Sequence, residues 1–475
     1  MKINTFIYNK GKADKIITII LSLILLFLCF EILCAQADLN SFINKAYNNR
    51  EEIQISKERK ELNNLRLLSA IRALGPSISA EITRSDGKTI TDPWQFESYG
   101  LRMEQSIFEG GRKYYTLKRE LKALDSSKSI LEKVENDIKF DIQQAYFKVL
   151  LNKEKVENYK NLLINTASEF KLAEKKYQAE IITEIDYMDI QNLRQSILLQ
   201  KDIVQSEFEL SKQKLKDECR LESIERIDGG IDRDVSEVQV KLKELKQIAL
   251  RNRPEIKSLK SVASHAKYDE KVIEAGKWPS LRVEGYLGES GEDYVDEEGL
   301  PLASEWSVYA KLSWLFWGNT IGLSYGRSKT TPSEILDVSH KTESDDRTAK
   351  ISILDNMDYF IRKKGKNVSY KQALNDLEER KRKVLYEVEE YFEKLKNSIN
   401  TVKLAQRQLN LAEKRAKIIE KRKMLNEASS IDLIKARNSV TEQRNSYLSA
   451  LYEYVVNRAR LNKACGKEVF EIDQK

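Results

Sequence analysis

Residues 99–112 read YGLRMEQSIFEGGR. The period is two: Tyr99, Leu101, Met103 and Ile107 share one face, and Arg102 and Glu104 share the other. That alternation predicts a strand with one apolar and one charged side. Gly110 and Gly111 follow, residues able to take the backbone angles that a swing out of the strand demands. From Arg112 to Asp228 there is then neither Gly nor Pro, a run far longer than an ordinary globular helix. A strand thus feeds through a double glycine into a very long helical stretch.

That stretch carries a coiled-coil seam. Val156, Tyr159, Leu163, Thr166, Phe170, Ala173 and Tyr177 step by three and four, and Ile190, Leu193, Ile197, Val204, Ser211 and Leu215 repeat the stepping. Between them, Ile181, Ile182, Thr183 and Ile185 lower helix propensity, so the break falls at Glu180 to Asp186. The run is a helical hairpin whose outgoing arm, about residues 112–179, spans roughly 100 Å at ~1.5 Å per residue.

The same order of features occurs twice. Ala46 to Ile53 aligns with Ala249 to Ile256, and Pro76 with Pro279, at an offset of 203. Further on, Tyr146-Phe147 meets Tyr391-Phe392, and Leu215 and Cys219 meet Leu461 and Cys465, at offsets of 245 and 246. The register jumps once, by about 40 residues, and locates an insertion at about residues 324–361, rich in Ser, Thr, Asp and Lys. The expected domains are a first structural repeat over 38–228 and a second over 229–475. Each holds a helix (39–74, then 238–276), two strands and a long hairpin; the second hairpin runs Asn367 to Cys465 and turns at Asn426 to Asp432.

Residues 1–37 are a separate object. Lys2, Lys10, Lys12 and Lys15 precede the apolar stretch Ile16 to Leu33, and Ala35-Gln36-Ala37 fits a small-x-small cleavage rule. This reads as a secretory signal peptide with the mature start at Asp38. A retained anchor and lipidation at Cys34 are the competing readings, although Leu33 sits where a lipoprotein signal wants a small residue. Export implies an oxidising compartment, yet only Cys219 and Cys465 remain, at equivalent repeat positions too far apart to be read as a disulfide.

With 81 basic and 74 acidic residues the net charge is only +7, and both signs are interleaved, which does not point to nucleic acid. There is no Gly-rich Lys-Ser/Thr phosphate loop and no His-Glu-x-x-His, and His265 and His340 are the only histidines. No catalytic, cofactor or metal site is expected. The reading is not an enzyme.

The strands decide the architecture. Ile78, Ala80 and Ile82 alternate with Ser79, Glu81 and Thr83. In the second copy Leu281, Val283 and Leu287 alternate with Arg282 and Glu284, and Trp306, Val308, Ala310, Leu312 and Trp314 alternate with Ser307, Tyr309, Lys311 and Ser313. One apolar and one wet face at about ten residues suits a membrane strand; a soluble hairpin capping a coiled coil reads the same way. If the strands span a bilayer, the sheet must close, and four are too few. Two chains give eight and three give twelve, and only twelve begins to leave a lumen. The polar segment Ser85–Pro93 and the acidic segment Glu289–Glu305 are read as the outward loops.

These residues resemble the outer-membrane efflux protein family, the TolC-like channels. Leu101 to Arg112 resembles the family's strand-to-helix junction, Ala145-Tyr146-Phe147 its outgoing helix, and Ser430 to Ala436 with Tyr447 to Gly466 its return helix. The chain departs from the family at Glu180 and Glu427, where Gly is frequent, and at Trp314 to Asn319, read as a shortened second junction containing Gly318. The resemblance implies a mostly α fold with a small β part: long coiled-coil hairpins forming an α-barrel, plus four transmembrane strands per chain in a shared 12-stranded β-barrel. It implies a homotrimer in outer-membrane lipid with a long periplasmic portion, a passive conduit of an efflux or type I secretion system. A periplasmic adaptor and an inner-membrane pump are the implied partners. A structural coiled-coil protein of the envelope and a periplasmic adaptor are the alternatives.

In a duct, function lies at the constriction and the docking tip. Asp186 and Asp189 share a helical face just past the first turn, and Asp432 and Lys435 are their second-copy equivalents. Carboxylate rings at a narrow point favour cations, so these four are the entrance candidates, with Lys435 able to pair a carboxylate. The competing reading is acidic residues favouring a helix N-terminus. Ile181, Ile182, Thr183, Ala428, Ser429 and Ser430 are the adaptor-docking candidates, and Gly110, Gly111 and Gly318 the junction residues.

Overall fold

The computed structural model describes residues 39–470 apart from 89–92, 225–226, 228, 232, 236–239, 295–301 and 331–342. The signal peptide, Cys34 and His340 lie outside the described residues.

The helices are α1 (Leu39–Asn49), α2 (Glu51–Arg72), α3 (Arg112–Gln178), α4 (Glu184–Cys219), α5 (Leu242–Asn252), α6 (Pro254–Glu274), α7 (Asp358–Met424) and α8 (Ser430–Cys465). α3 and α7 are both 67 residues long, and α4 and α8 both 36. Each long pair is an antiparallel hairpin. Inside the first, Val156, Tyr159, Leu162, Phe170 and Ala173 meet Ile190, Ile197 and Val204 in one buried row. The buried spacing of α4 at Ile190, Ile197, Val204 and Ser211 is heptad.

The helices expected over 39–74 and 238–276 are each broken once. Arg50 and Arg253 leave the helical region at φ −78°, ψ 122° and φ −62°, ψ 125°. Pro254 forces this on Arg253. No proline follows Arg50, so its break is a tertiary effect. Its guanidinium is drawn to Glu218 at the end of α4. The main core sits where these broken helices cross the long ones and includes Phe42, Ile142, Leu151, Leu245, Tyr454 and Leu461. Arg253, nearly buried, pairs there with Glu255 at 3.1 Å and Glu387 at 2.5 Å, and Arg380 bridges the same two carboxylates. Burial pushes the Glu255 carboxyl up, but the Arg253 and Arg380 charges outweigh it and hold it below the ordinary carboxylate value. Cys219 and Cys465 are free and buried, and burial pushes their thiols up to about 11 and about 12.

The strands form one antiparallel sheet in sequence order: β1 (Ser77–Lys88), β2 (Pro93–Glu109), β3 (Ser280–Tyr294), β4 (Ala303–Phe316), β5 (Asn319–Lys329) and β6 (Glu343–Ser352). The sheet therefore holds six strands where the alternation showed four. The extra pair lies largely in the segment read as an insertion. The arms of the first two hairpins also run further than expected, through Ser85–Lys88 and to Tyr294, because polar hairpin backbone needs no apolar face to pair.

Gly318 is corrected likewise. It lies in the two-residue turn between β4 and β5, with Trp317 and Gly318 at φ 53° and 80°. Two consecutive positive-φ residues make a tight hairpin turn, not a swing into a helix. The chain enters α7 only after β6, at Leu354 to Met357. Leu354 N–H donates to Asn319 Oδ1 at 2.8 Å, and Asn356 N–H donates to the Gly318 carbonyl at 3.1 Å. The β5–β6 hairpin is thus a closed excursion that starts and finishes at one point. Gly110 and Gly111 do stand between β2 and α3, at φ 61° and 85°. A Cβ on Gly110 would lie 2.5 Å from the Ala275 carbonyl, so the α6 end and the junction are in direct contact.

Candidate channel wall and entrance

The sheet separates two chemistries. The paired register places Ala80, Leu101, Leu287 and Trp306 in one cross-strand row, and Ile78, Met103 and Val308 in the next. These side chains are largely exposed, with Ile78 at 64% and Leu287 at 65%. A contiguous exposed apolar surface of this extent marks a contact with lipid or protein. The opposite face is charged and internally paired. Arg102 makes a two-pronged contact to Glu81 at 2.5 and 2.9 Å, and Lys311 reaches Glu284 at 2.5 Å. Tyr286 lies over Gly100 and Gly288, close enough that a Cβ on either would overlap its ring. That close approach lets its hydroxyl reach Ser98 at 3.1 Å.

At the helix end of the sheet the apolar face terminates in Phe108, Trp278, Trp314, Phe316, Trp317 and Phe360, which line an open groove of about 870 Å³ with Lys277 and Lys363 at its rim. Aromatic rings in a row at one edge of an apolar band are the arrangement of a membrane–water boundary. The strand pattern showed Trp314; Trp317 joins it through the β4–β5 turn, and Phe360 because the β5–β6 excursion returns the chain to the same level.

The far end of α3 and α7 carries the two tips. Ile181 N–H donates to the Lys176 carbonyl and Glu427 N–H to the Arg422 carbonyl, both at 2.8 Å. The left-handed residues of these closures are Glu180 and Asn426, at φ 56° and 58°. Asn426, not Glu427, is the left-handed residue of the second tip. Both return helices start with a reciprocal cap. Thr183 Oγ1 accepts from Asp186 N–H at 3.2 Å while the Asp186 carboxylate accepts from the Thr183 backbone and hydroxyl. Ser429 and Asp432 repeat this contact for contact. The Ser429 hydrogen bonds hold the Asp432 carboxyl below its ordinary value, with the Lys435 charge assisting.

Asp186 and Asp432 are therefore engaged in capping. Asp189 and Lys435 are exposed and make no hydrogen bond or ion pair among the described residues, Lys435 acting on the Asp432 carboxylate through its charge alone. Ile181 and Thr183 are exposed, Ile182 and Ala428 half-buried, and Ser429 exposed; Ser430 is buried beneath the cap and is not surface. Ile185, Met188, Met424 and Leu425 add exposed apolar surface to the tips.

Sequence reading missed two devices. Tyr177 and Tyr187 stack across the first tip with centroids 4.4 Å apart and planes 3° from parallel. Lys423 stands where the second copy would have that tyrosine, and it pairs instead with Glu169 on α3. Nearby, Arg437 bridges Glu420 at 2.7 Å and the Asn165 carbonyl, and Asn158 donates to Asn445 at 2.8 Å. These contacts tie the two hairpins side by side just behind their tips. Burial, then the Arg437 charge, lowers the Lys423 ammonium below its ordinary value.

The described residues contain no cluster able to hold a metal ion and no helix long and apolar enough to cross a membrane. No protein-family profile and no curated protein sequence matches the chain. Solved structures do match. The CmeC outer membrane channel of Campylobacter jejuni is 15% identical with a TM-score of 0.69, covering 91% of this chain and 87% of that one. The open state of the Neisseria gonorrhoeae MtrE outer membrane channel is 14% identical with a TM-score of 0.67, covering 91% and 89%. The outer membrane protein VceC of Vibrio cholerae is 12% identical with a TM-score of 0.67, covering 91% and 96%. The chain has the TolC-like fold of outer-membrane channels.

Proposed function

We propose that this chain is the outer-membrane subunit of an efflux or secretion duct, a homotrimer that conducts passively from periplasm to exterior. The observation that carries the reading is the sheet: an exposed apolar face ending in an aromatic row, backed by a charged face, with two open edges. Such a sheet is stable in a bilayer only when closed with other copies. The helical hairpins then extend into the periplasm, and their tips meet a periplasmic adaptor joined to an inner-membrane pump, which supplies the energy. The exposed Ile181, Ile185, Met424 and Leu425 fit an adaptor of hydrophobic tip chemistry. The tie of Glu169 and Arg437 to the opposite hairpin fits a resting, closed entrance. The test is fractionation of the expressed protein. An outer-membrane, heat-modifiable, trimer-sized band is expected; a soluble periplasmic monomer overturns the reading.

A further inference from the structure

The β5–β6 hairpin is built into the sheet rather than laid on it. β5 pairs with β4 along its whole length, from Asn319–Phe316 to Lys329–Trp306, and so occupies the edge that β4 would otherwise offer to another chain. Gly326 makes the join specific. The Tyr309 ring crosses β5 where a Gly326 Cβ would lie 1.9 Å from it, and the Tyr309 hydroxyl donates to Asp346 on β6 at 3.3 Å. Ser328 and Ser344 share a hydrogen bond at 2.9 Å, and Arg327 pairs with Glu343 at 2.9 Å. The two-faced chemistry also continues across the hairpin. Ile321, Leu323 and Ile351 extend the apolar face, and Ser324, Thr348 and Lys350 extend the polar one.

We infer that all six strands belong to the barrel wall, and that β6 of one copy pairs with β1 of the next. The inference rests on the trimeric duct proposed above. Three copies then close 18 strands in place of 12, and the barrel diameter grows by about half, because diameter rises roughly linearly with strand number. The charges on the outer face of the hairpin fit this placement. Lys329 and Arg327, with Glu343 and Asp345 beside them on β6, stand level with Trp306 and Val308 in the half of the band away from the helices, and Arg327 pairs with both carboxylates; Arg347, one row further in, lies over the Tyr325 ring. The number of long helices per chain is unaffected, so the mouth is wider than the helical duct beneath it.

Cysteine cross-linking in intact cells tests the pairing, and the native Cys219 and Cys465 are buried and free. One set places Ser79→Cys, Glu81→Cys or Thr83→Cys on β1 with Ser344→Cys, Thr348→Cys or Lys350→Cys on β6, and the nine pairs cover the possible registers. A control set combines the β1 changes with Ser307→Cys, Lys311→Cys or Ser313→Cys on β4. Covalent trimers from β1 with β6 alone are expected. Cross-links from β1 with β4, a ladder ending at dimers, or a trimer with no β1–β6 cross-link overturns the inference. A monomer throughout overturns the duct itself. Removing residues 319–355 is expected to transfer cross-linking from β6 to β4, which a hairpin lying outside the wall does not produce.

Discussion

Asp186 and Asp432 show how one carboxylate type serves two readings. The spacing that marks an entrance acid also marks the third residue of a capping box, and both side chains make that box. Loss of a cap costs ~1 kcal/mol, so Asp432→Ala is expected to fray the start of α8 without unfolding the chain, seen as faster hydrogen exchange over the first turn. Asp189 has no such duty. Asp189→Ala is expected to lower cation selectivity in single-channel recordings with stability unchanged, and unaltered selectivity removes Asp189 from the entrance. The Glu169–Lys423 pair is well shielded, with side chains 14% and 19% exposed. Its loss should cost between the ~1 kcal/mol of an exposed pair and the ~3 kcal/mol of a buried one. Glu169→Gln is expected to raise the open fraction in the same recordings. Acid acts on other residues. Glu255 is depressed, so its stabilising contribution is complete above the ordinary carboxylate value and is lost as pH falls from about 4. His265 is depressed by burial, so its contribution is already lost as pH falls below about 6.5. Circular-dichroism melts of the purified protein should therefore show a midpoint that falls in two stages with acidification.

Among the elements, the long helices were the most legible and β5–β6 the least. Heptad apolar spacing defines α3 and α4, and an absence of Gly and Pro defines α3, α4, α8 and the part of α7 beyond Gly365 without help from context. The first four strands alternate cleanly because one whole face is apolar. β6 does not: Glu343, Asp345 and Arg347 stand on the face that Ala349 and Ile351 share, so no period of two survives. β5 is interrupted in the same way by Arg327 and Lys329. Its turn was disguised as well, since Trp314 to Asn319 imitates a strand-to-helix junction in composition while differing in backbone angles. The tip stack and the Glu169–Lys423 pair were hidden for another reason. Both join positions whose proximity depends on the assembled hairpins. At the first junction, Gly110→Ala would put a Cβ against the Ala275 carbonyl at a positive φ, a combination expected to cost over ~1 kcal/mol. Loss of heat-resistant oligomer on gels measures it.

For the molecule as a whole, the chain joins a helical bundle of fixed reach to a sheet of six strands. The wall gains strands while the hairpins keep their lengths. Polymer exclusion in planar bilayers should accordingly be asymmetric. Polyethylene glycols too large to enter from the hairpin tips are expected to enter from the barrel side and lower the conductance measurably; equal cut-offs from both sides would contradict a widened mouth. The exposed apolar band gives a further expectation. Leu287→Asp, within it, should impair membrane assembly without altering helix content, because a lipid-facing acid is penalised only in the bilayer.

The meeting point of Gly318, Asn319, Leu354 and Asn356 has a consequence for how such a channel can be resized. Because the excursion leaves and rejoins the main path at one spot, the entry into α7 is indifferent to whether two strands, or none, have been spliced in there. Circumference becomes a modular property, adjustable in increments of one hairpin per subunit. A wider or narrower portal can then be written into this chain by a single local edit, with the hairpin tips at the opposite end left as they were.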